Sequence, residues 1–475
     1  MFDASQLTSI GFRFIRDSLE LLTPYGEELS RRVRPYPRRE AEELFREQRD
    51  LSVLIRAAEK STTEVNALMR LMMPVKDVRR SIAGIGERTL SEVELFELKR
   101  FLLELELLAP QLKKVCALES VEITALPAAL DVIDPDGMRS PSFYVSDRLS
   151  EKLASIRRER KLLDEEIKRN GLTEELSLRR TRLAAEEEAE NFAVRTGMCM
   201  RLAPYAETLE RNAEAIGRLD LLVAKARLAA AYGAIIPEVG AGSFELRGMK
   251  NPQFAQNLEA KGLAFVPVSL SLTKGSVVIT GANMGGKSVA IKTLALNAML
   301  AMCGFAVFAA ECKLPYLDDM YLLSEDREDV SGGLSSFGGE MKAFDALLRE
   351  TKDKDTVLVL LDEFARGTNP HEGAELVRAA AKLFNGRENS YAVIATHFDG
   401  VAKLARLHYQ VAGLRRADPE KIAADMRSGK TDALSKCMDY GLYPVSPDEE
   451  PPRDAVKIIK ALGVCGEFSD LIEIR

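Results

Sequence analysis

The residues best placed to do chemistry are Gly281-Ala282-Asn283-Met284-Gly285-Gly286-Lys287-Ser288, which follow directly on the apolar run Val277-Val278-Ile279. Glycines at 281, 285 and 286 let the backbone turn with its N–H groups facing one concavity, at the start of a helix expected from about Lys287. Such a nest supplies donors to a phosphate without bulk. Lys287 can reach the outer phosphates of a nucleoside triphosphate as a point charge, and the Ser288 hydroxyl can ligate a Mg2+ that bridges them. A glycine-rich turn that binds nothing is the bland alternative. The strand-like run before the loop and the helix after it argue against that alternative.

Two further runs end in polar chemistry. Thr356-Val357-Leu358-Val359-Leu360-Leu361 reads as a buried parallel strand, and it delivers Asp362 and Glu363 at its carboxyl end, where α/β sheets place their sites. Asp362 is suited to hold the metal, and Glu363 to orient or deprotonate the attacking water. Tyr391-Ala392-Val393-Ile394-Ala395 reads as a second buried strand and ends in Thr396-His397. His397 is read as a sensor or water-positioning group beside the terminal phosphate, with a satisfied core imidazole as the alternative.

These segments resemble those of one family. The phosphate loop with Asn283-Met284 inside it, and Asp362-Glu363-Phe364-Ala365-Arg366-Gly367-Thr368-Asn369, are similar to the Walker A, Walker B and D-loop of MutS ATPases. Gly333-Leu334-Ser335-Ser336-Phe337-Gly338-Gly339-Glu340-Met341 resembles the segment that serves there as an ABC-type signature. The resemblance implies that Ser335 reaches the phosphate held by an opposite subunit, so that two chains complete each site. Without the family, the same segment is a Gly/Ser loop before a helix. Ala264-Phe265-Val266-Pro267 resembles the family segment whose aromatic residue stacks on adenine, although a core phenylalanine fits Phe265 nearly as well. ATP and Mg2+ are the implied ligands.

The positioning elements fall into two textures. Residues 1–235 are rich in Leu, Glu, Arg and Ala at helical spacing, whereas residues 236–475 alternate short apolar runs with glycine-bearing loops. These textures predict an α-helical N-terminal half with a core bundle and a long helical hairpin, followed by an α/β P-loop domain; the resemblance implies that the hairpin is a clamp and the second domain an ATPase of ABC type. Leu95, Leu98, Leu102 and Leu105 mark a packed helix, with breaks expected at Pro110, Pro127 and Pro135. Phe143-Tyr144-Val145 reads as a strand-like piece, and residues 147–195 as two long antiparallel helices turning at Asn170-Gly171.

In MutS proteins an analogous helix pair carries the clamp that closes round DNA. Here Arg157, Arg158, Arg160, Lys161, Lys168, Arg169, Arg179, Arg180 and Arg182 could meet phosphates, with salt-sensitive affinity. The same stretch holds Glu159, Asp164, Glu165, Glu166, Glu174, Glu175 and Glu186-Glu187-Glu188, so a solvated mixed-charge face is an equal reading.

Composition narrows the setting. The chain has 475 residues and a net charge of -7, which speaks against a basic coat over the whole surface. Its six cysteines show no paired spacing, so neither a zinc site nor a disulfide framework is expected. Asp3, Arg13 and Arg16 interrupt any signal-peptide core, which points to a cytoplasmic protein. Residues 293–310 are apolar enough to resemble a membrane span. Asn297 and Gly304 within them favour a buried helix turning into a strand at Phe305-Ala306-Val307-Phe308, and no membrane role.

The chain departs from repair MutS in having no Gly-x-Phe-x-Glu element in its N-terminal half and no room for the mismatch-recognition and connector domains. No Smr-type nuclease segment follows the ATPase, although Asn369-Pro370-His371-Glu372-Gly373 looks closer to the nuclease-bearing relatives. Two functions stay open. One is a homodimeric ATPase whose helical arms clamp DNA without reading mismatches. The other is a remodelling ATPase acting on a protein client, such as an amino-acid mutase, with which short MutS-like chains are associated. Near the C-terminus Val456, Ile459 and Leu462 line one face of an expected helix, which the resemblance assigns to dimerisation and which could equally pack on its own domain.

Overall fold

The computed structural model describes residues 2–140, 142–281, 286–324, 336–413 and 439–449. Asn283, Met284, Gly285 and Ser335, with the C-terminal amphipathic segment, lie outside the described residues. The chain divides into two compact units, one of residues 1–19, 34–48 and 227–475 and the other of residues 20–33 and 49–226. The expected helical half, 1–235, differs from this division by assigning the two N-terminal segments away from the α/β part.

The first unit is built on two sheets. Its strands are β1 (Glu238–Val239), β2 (Phe244–Met249), β3 (Val268–Leu272), β4 (Gly275–Thr280), β5 (Glu311–Leu314), β6 (Asp319–Leu323), β7 (Val357–Asp362), β8 (Ser390–Ala395), β9 (Leu407–Gly413) and β10 (Asp439–Val445). The larger sheet runs β10-β9-β4-β8-β7-β6, all parallel except β10, and the smaller runs β1-β5-β2-β3. Every residue of β4, β7 and β8 is buried. That burial explains why these strands read as unbroken apolar runs without alternation. The register sets Ile279 opposite Ala395 and Ala395 opposite Asp362, so the carboxyl ends of β4, β8 and β7 finish level with one another.

Helices close over the sheet. The helix Lys287–Met302 buries nearly its whole circumference, which is why its sequence is apolar enough to mimic a membrane span. Among the described residues no helix is long and apolar enough to cross a membrane. The helix ends at Met302, and Phe305 to Phe308 form no strand; Val307 makes only an isolated bridge to Ile235. Asn297 accounts for this, because its Oδ1 accepts from the Phe308 N–H at 2.8 Å and ties the descending chain to the helix instead of to a ladder. Helices Ser336–Glu350 and Pro370–Asn385 contribute Leu347, Val377 and Phe384 to a core shared with Val359, Leu361 and Ile394.

The N-terminal segment belongs to this unit through specific contacts. Asp3 and Gln6 form a reciprocal capping box on the helix Ala4–Ser9. The Gln6 amide then donates to the Leu322 carbonyl at 2.6 Å, and Asn251 donates to the Ile10 carbonyl at 2.9 Å. Phe2, Ile10, Phe12 and Ile15 are buried, with Phe12 edge-on to Phe305 at 6.3 Å.

In the second unit, Leu95, Leu98, Leu102, Leu105, Leu108 and Leu112 form the buried stripe of one helix, Glu92–Val115. Pro110 sits inside that helix and does not end it. A mid-helix proline costs about 3 kcal/mol. Burial of Leu108 and Leu112 on either side offsets this at roughly 1.5–3 kcal/mol each. Phe143-Tyr144-Val145 is irregular chain, with only Val145 buried.

The hairpin consists of Glu151–Asn170 and Glu174–Leu202. Gly171 ends the first helix at φ 83°, a left-handed value that suits glycine, and Thr173 caps the second by accepting from the Leu176 N–H. Ile156, Leu163 and Leu183 pack between the helices, with Ile167 and Leu176 against them.

Candidate nucleotide site

The level ends of β4, β7 and β8 bring the expected residues together. Gly281 leaves β4 at φ 144°, where a Cβ would lie 3.1 Å from the Val411 Cβ of β9, so only glycine lets the loop pass. Gly286 starts the helix at φ 94° with the Tyr440 ring against it. Lys287 is 4% exposed and its Nζ donates to the Gly281 carbonyl at 2.9 Å, folding the side chain back over the loop. The same nitrogen stands 3.6 Å from Glu363 Oε1. Burial lowers the Lys287 pKa, opposed by the Glu363 and Asp362 charges.

Ser288 donates its hydroxyl to Asp362 Oδ1 at 3.0 Å. Burial pushes the Asp362 carboxyl above its ordinary range, with the Ser288 hydrogen bond and Lys292 working the other way. Hydroxyl and carboxylate oxygens facing each other are the donor set a small hard cation takes. A buried amine, a side-chain-free loop entry and a helix N-terminus fit a polyphosphate on the same grounds.

Glu363 lies just past β7, anchored by its N–H to the Ala395 carbonyl at 3.1 Å. Its φ is 55°, and Ala365 follows at φ 63°. Left-handed backbone costs a residue with a Cβ on the order of 1–2 kcal/mol. Such strain persists where the surroundings fix it. Arg366 Nη1 donates to Glu363 Oε2 at 2.7 Å. The carboxylate is therefore reached from two sides, by Lys287 and by Arg366.

Residues 277–436 match MutS domain V. The chain is 35% identical over 213 residues to the DNA mismatch repair protein MutS of Thermus aquaticus, covering 44% of this chain and 25% of that protein. It is 29% identical over 311 residues to the DNA mismatch repair protein MutS of Natronomonas pharaonis, covering 64% of this chain and 33% of the relative. The DNA mismatch repair protein MutS 2 of Halobacterium salinarum is 31% identical over 217 residues, covering 45% of this chain and 24% of its own length. The chain thus aligns with a third or less of the length of these curated relatives.

Within this MutS-like domain, His397 lies beyond β8 with its ring 4.5 Å from that of Phe398. Among the described residues its buried Nδ1 has no hydrogen-bond partner, and burial lowers its pKa against the pull of the Glu363 carboxylate. Phe265 is half-buried in the chain leading to β3. No hydrogen bond or ring contact of the described residues ties it to the phosphate loop.

Several residues at the site carry no signal in the sequence. Val411 and Tyr440 meet the loop glycines from strands distant along the chain. Glu340, part of the signature-like segment, accepts through Oε1 from the Ala365 N–H at 3.1 Å, a bond that the motif itself does not indicate. Arg366 was legible in principle, as an opposite charge three residues after Glu363. Among the described residues no group of His, Cys, Asp or Glu side chains forms a metal cluster, and Cys116, Cys199, Cys303 and Cys312 are free thiols.

Proposed function

We propose that this chain is a MutS-type ATPase that works as a homodimer and couples ATP hydrolysis to movement of its helical hairpin arms on DNA. The observation that supports it best is the cluster of Lys287, Ser288, Asp362 and Glu363 at the carboxyl edge of a parallel sheet, inside a stretch that matches MutS domain V. In this reading Gly281 and Gly286 shape the loop, Lys287 neutralises phosphate charge, Ser288 and Asp362 hold Mg2+, and Glu363 takes the proton of the attacking water. Mg2+ supplies Lewis-acid neutralisation of the phosphate oxygens when bound. His397, with one nitrogen unclaimed, is available to a phosphate oxygen or to that water. Phe265 is the candidate for the base and Ser335 the candidate donor to the opposite subunit's phosphate.

The hairpin limits how DNA could be held. Arg157 and Arg160 both pair with Glu187, Arg179 with Glu159, Arg180 with Asp164, Arg182 with Glu186 and Arg169 with Glu165. At these six arginines a phosphate would have to replace a carboxylate, so contact through them is weak and salt-sensitive.

The test is steady-state hydrolysis by the full chain, with and without duplex, branched and single-stranded DNA over a salt series. Glu363→Gln should keep ATP binding and lose at least about a hundredfold in kcat, in line with removal of a group acting in the transition state. Unchanged turnover in that variant removes Glu363 from the mechanism. Stimulation by DNA that falls steeply with salt supports the DNA reading; indifference to every DNA at every salt would leave the arms to a protein client.

A further inference from the structure

We infer that Glu340 is a positioning residue for Glu363, acting through the peptide of Ala365. The helix Ser336–Glu350 touches the turn after β7 at two points. Glu340 Oε1 accepts from the Ala365 N–H at 3.1 Å, and one turn further along the same helix face Phe344 lies against Phe364, ring centroids 4.6 Å apart. Phe364 is 1% exposed and Ala365 is fully buried.

The geometry gives the hydrogen bond a specific task. Glu363 and Ala365 both hold left-handed backbone, so the turn is not one that these residues adopt by preference. Its Ala365 N–H is buried and needs an acceptor. Glu340 supplies it. On the next peptide group, a Cβ at Gly373 would lie 2.7 Å from the Ala365 carbonyl oxygen, so the helix Pro370–Asn385 closes directly on that oxygen. Ala365 is thus held at its N–H by one helix and at its carbonyl by another. Glu363, two residues before it, takes its place relative to Lys287 and Arg366 from that grip.

It follows that a shift of the helix Ser336–Glu350 is transmitted to the Glu363 carboxylate through Ala365. A side-chain acceptor can be withdrawn and restored, whereas a ladder bond cannot; this is what makes Glu340 suited to link the two. The grip itself is independent of the ATPase reading, and only the consequence for turnover rests on it.

Two variants of the full chain test this, Glu340→Ala, which removes the acceptor, and Glu340→Gln, which keeps a carbonyl oxygen at the same reach. Amide exchange of the peptide spanning residues 363–367 is measured in the nucleotide-free protein, and kcat and KM for ATP in the presence of Mg2+. Glu340→Ala should speed exchange at Ala365 at least tenfold and lower kcat at least tenfold with KM within twofold, while Glu340→Gln stays near the parent in both. Unchanged exchange in Glu340→Ala overturns the grip. Faster exchange with unchanged kcat overturns the positioning of Glu363, and equal loss in Glu340→Gln shows that charge, not acceptance, is used. Should the parent chain fail to hydrolyse ATP, the ATPase reading falls and the exchange comparison still decides the grip.

Discussion

A buried imidazole next to the phosphate loop shows how single residues set the conditions under which the site exists. His408 on β9 is 2% exposed, with Nε2 at 2.7 Å from the Thr280 hydroxyl and Nδ1 at 2.8 Å from the Ser446 carbonyl. The carbonyl can only accept, so Nδ1 carries the proton and Nε2 accepts from Thr280, the residue just before Gly281. Burial holds the His408 pKa below its usual 6.5, against the smaller raising effects of the Ser446 carbonyl and Glu449. A depressed folded pKa means that the unfolded chain binds the proton more readily. The stabilisation is therefore complete above about pH 6.5 and is lost as pH falls through the folded value. We expect the parent's Tm to drop more between pH 7.5 and pH 5 than that of His408→Gln, whose amide keeps a donor and an acceptor. Parallel curves would show that this imidazole is not the group that titrates.

At the level of elements, the hairpin separates what holds it from what decorates it. Ile156, Leu163 and Leu183 are its packed centre, and the many ion pairs along its flanks are largely solvent-exposed. Exposed pairs contribute about 0–1 kcal/mol each. Truncating a buried leucine costs roughly 2–5 kcal/mol. Leu163→Ala should therefore loosen the hairpin, read as faster amide exchange confined to residues 151–202, whereas Arg182→Ala should leave exchange there within twofold. The reverse ranking would mean that charge pairing, not packing, keeps the helices together.

The hairpin, and the strands ending at Thr280, Asp362 and Ala395, were legible in the sequence because each is governed by a local rule: a sparse apolar stripe with a glycine turn, or an unbroken apolar run. The errors came where a distant contact decides. Pro110 reads as a stop, but the buried leucines around it carry the helix through. Phe305 to Phe308 read as a strand, but Asn297 takes the hydrogen bond that a ladder would have used. The phosphate loop announces itself by spacing, whereas Val411 and Tyr440 enter the site through tertiary placement, which leaves no mark on neighbouring residues.

On the scale of the whole molecule, the α/β unit is assembled from three separate stretches of chain. Its N-terminal stretch contributes the buried Phe2, Ile10, Phe12 and Ile15 and the hydrogen bond from Gln6 to Leu322. A chain beginning at residue 227 would carry every strand and every nucleotide-site residue and still lack this part of its core. We expect that shortened chain to aggregate or to melt well below the parent. Its recovery on adding back residues 1–48 as a separate peptide would mark the deficit as packing. A shortened chain as stable as the parent would mean that the N-terminal stretch contributes little to this unit.

The same arrangement imposes an order of events during synthesis. Gln6 and its acceptor at Leu322 are 316 residues apart. At an elongation rate of about 5–20 residues per second, the helix Ala4–Ser9 waits roughly 15–60 s for its partner to be made. Throughout that interval Phe2, Ile10, Phe12 and Ile15 have no native surface to cover them, while residues 49–226 emerge complete and are free to fold. The segment 1–19 is thus synthesised long before part of the surface it packs on, and its burial waits on the α/β unit.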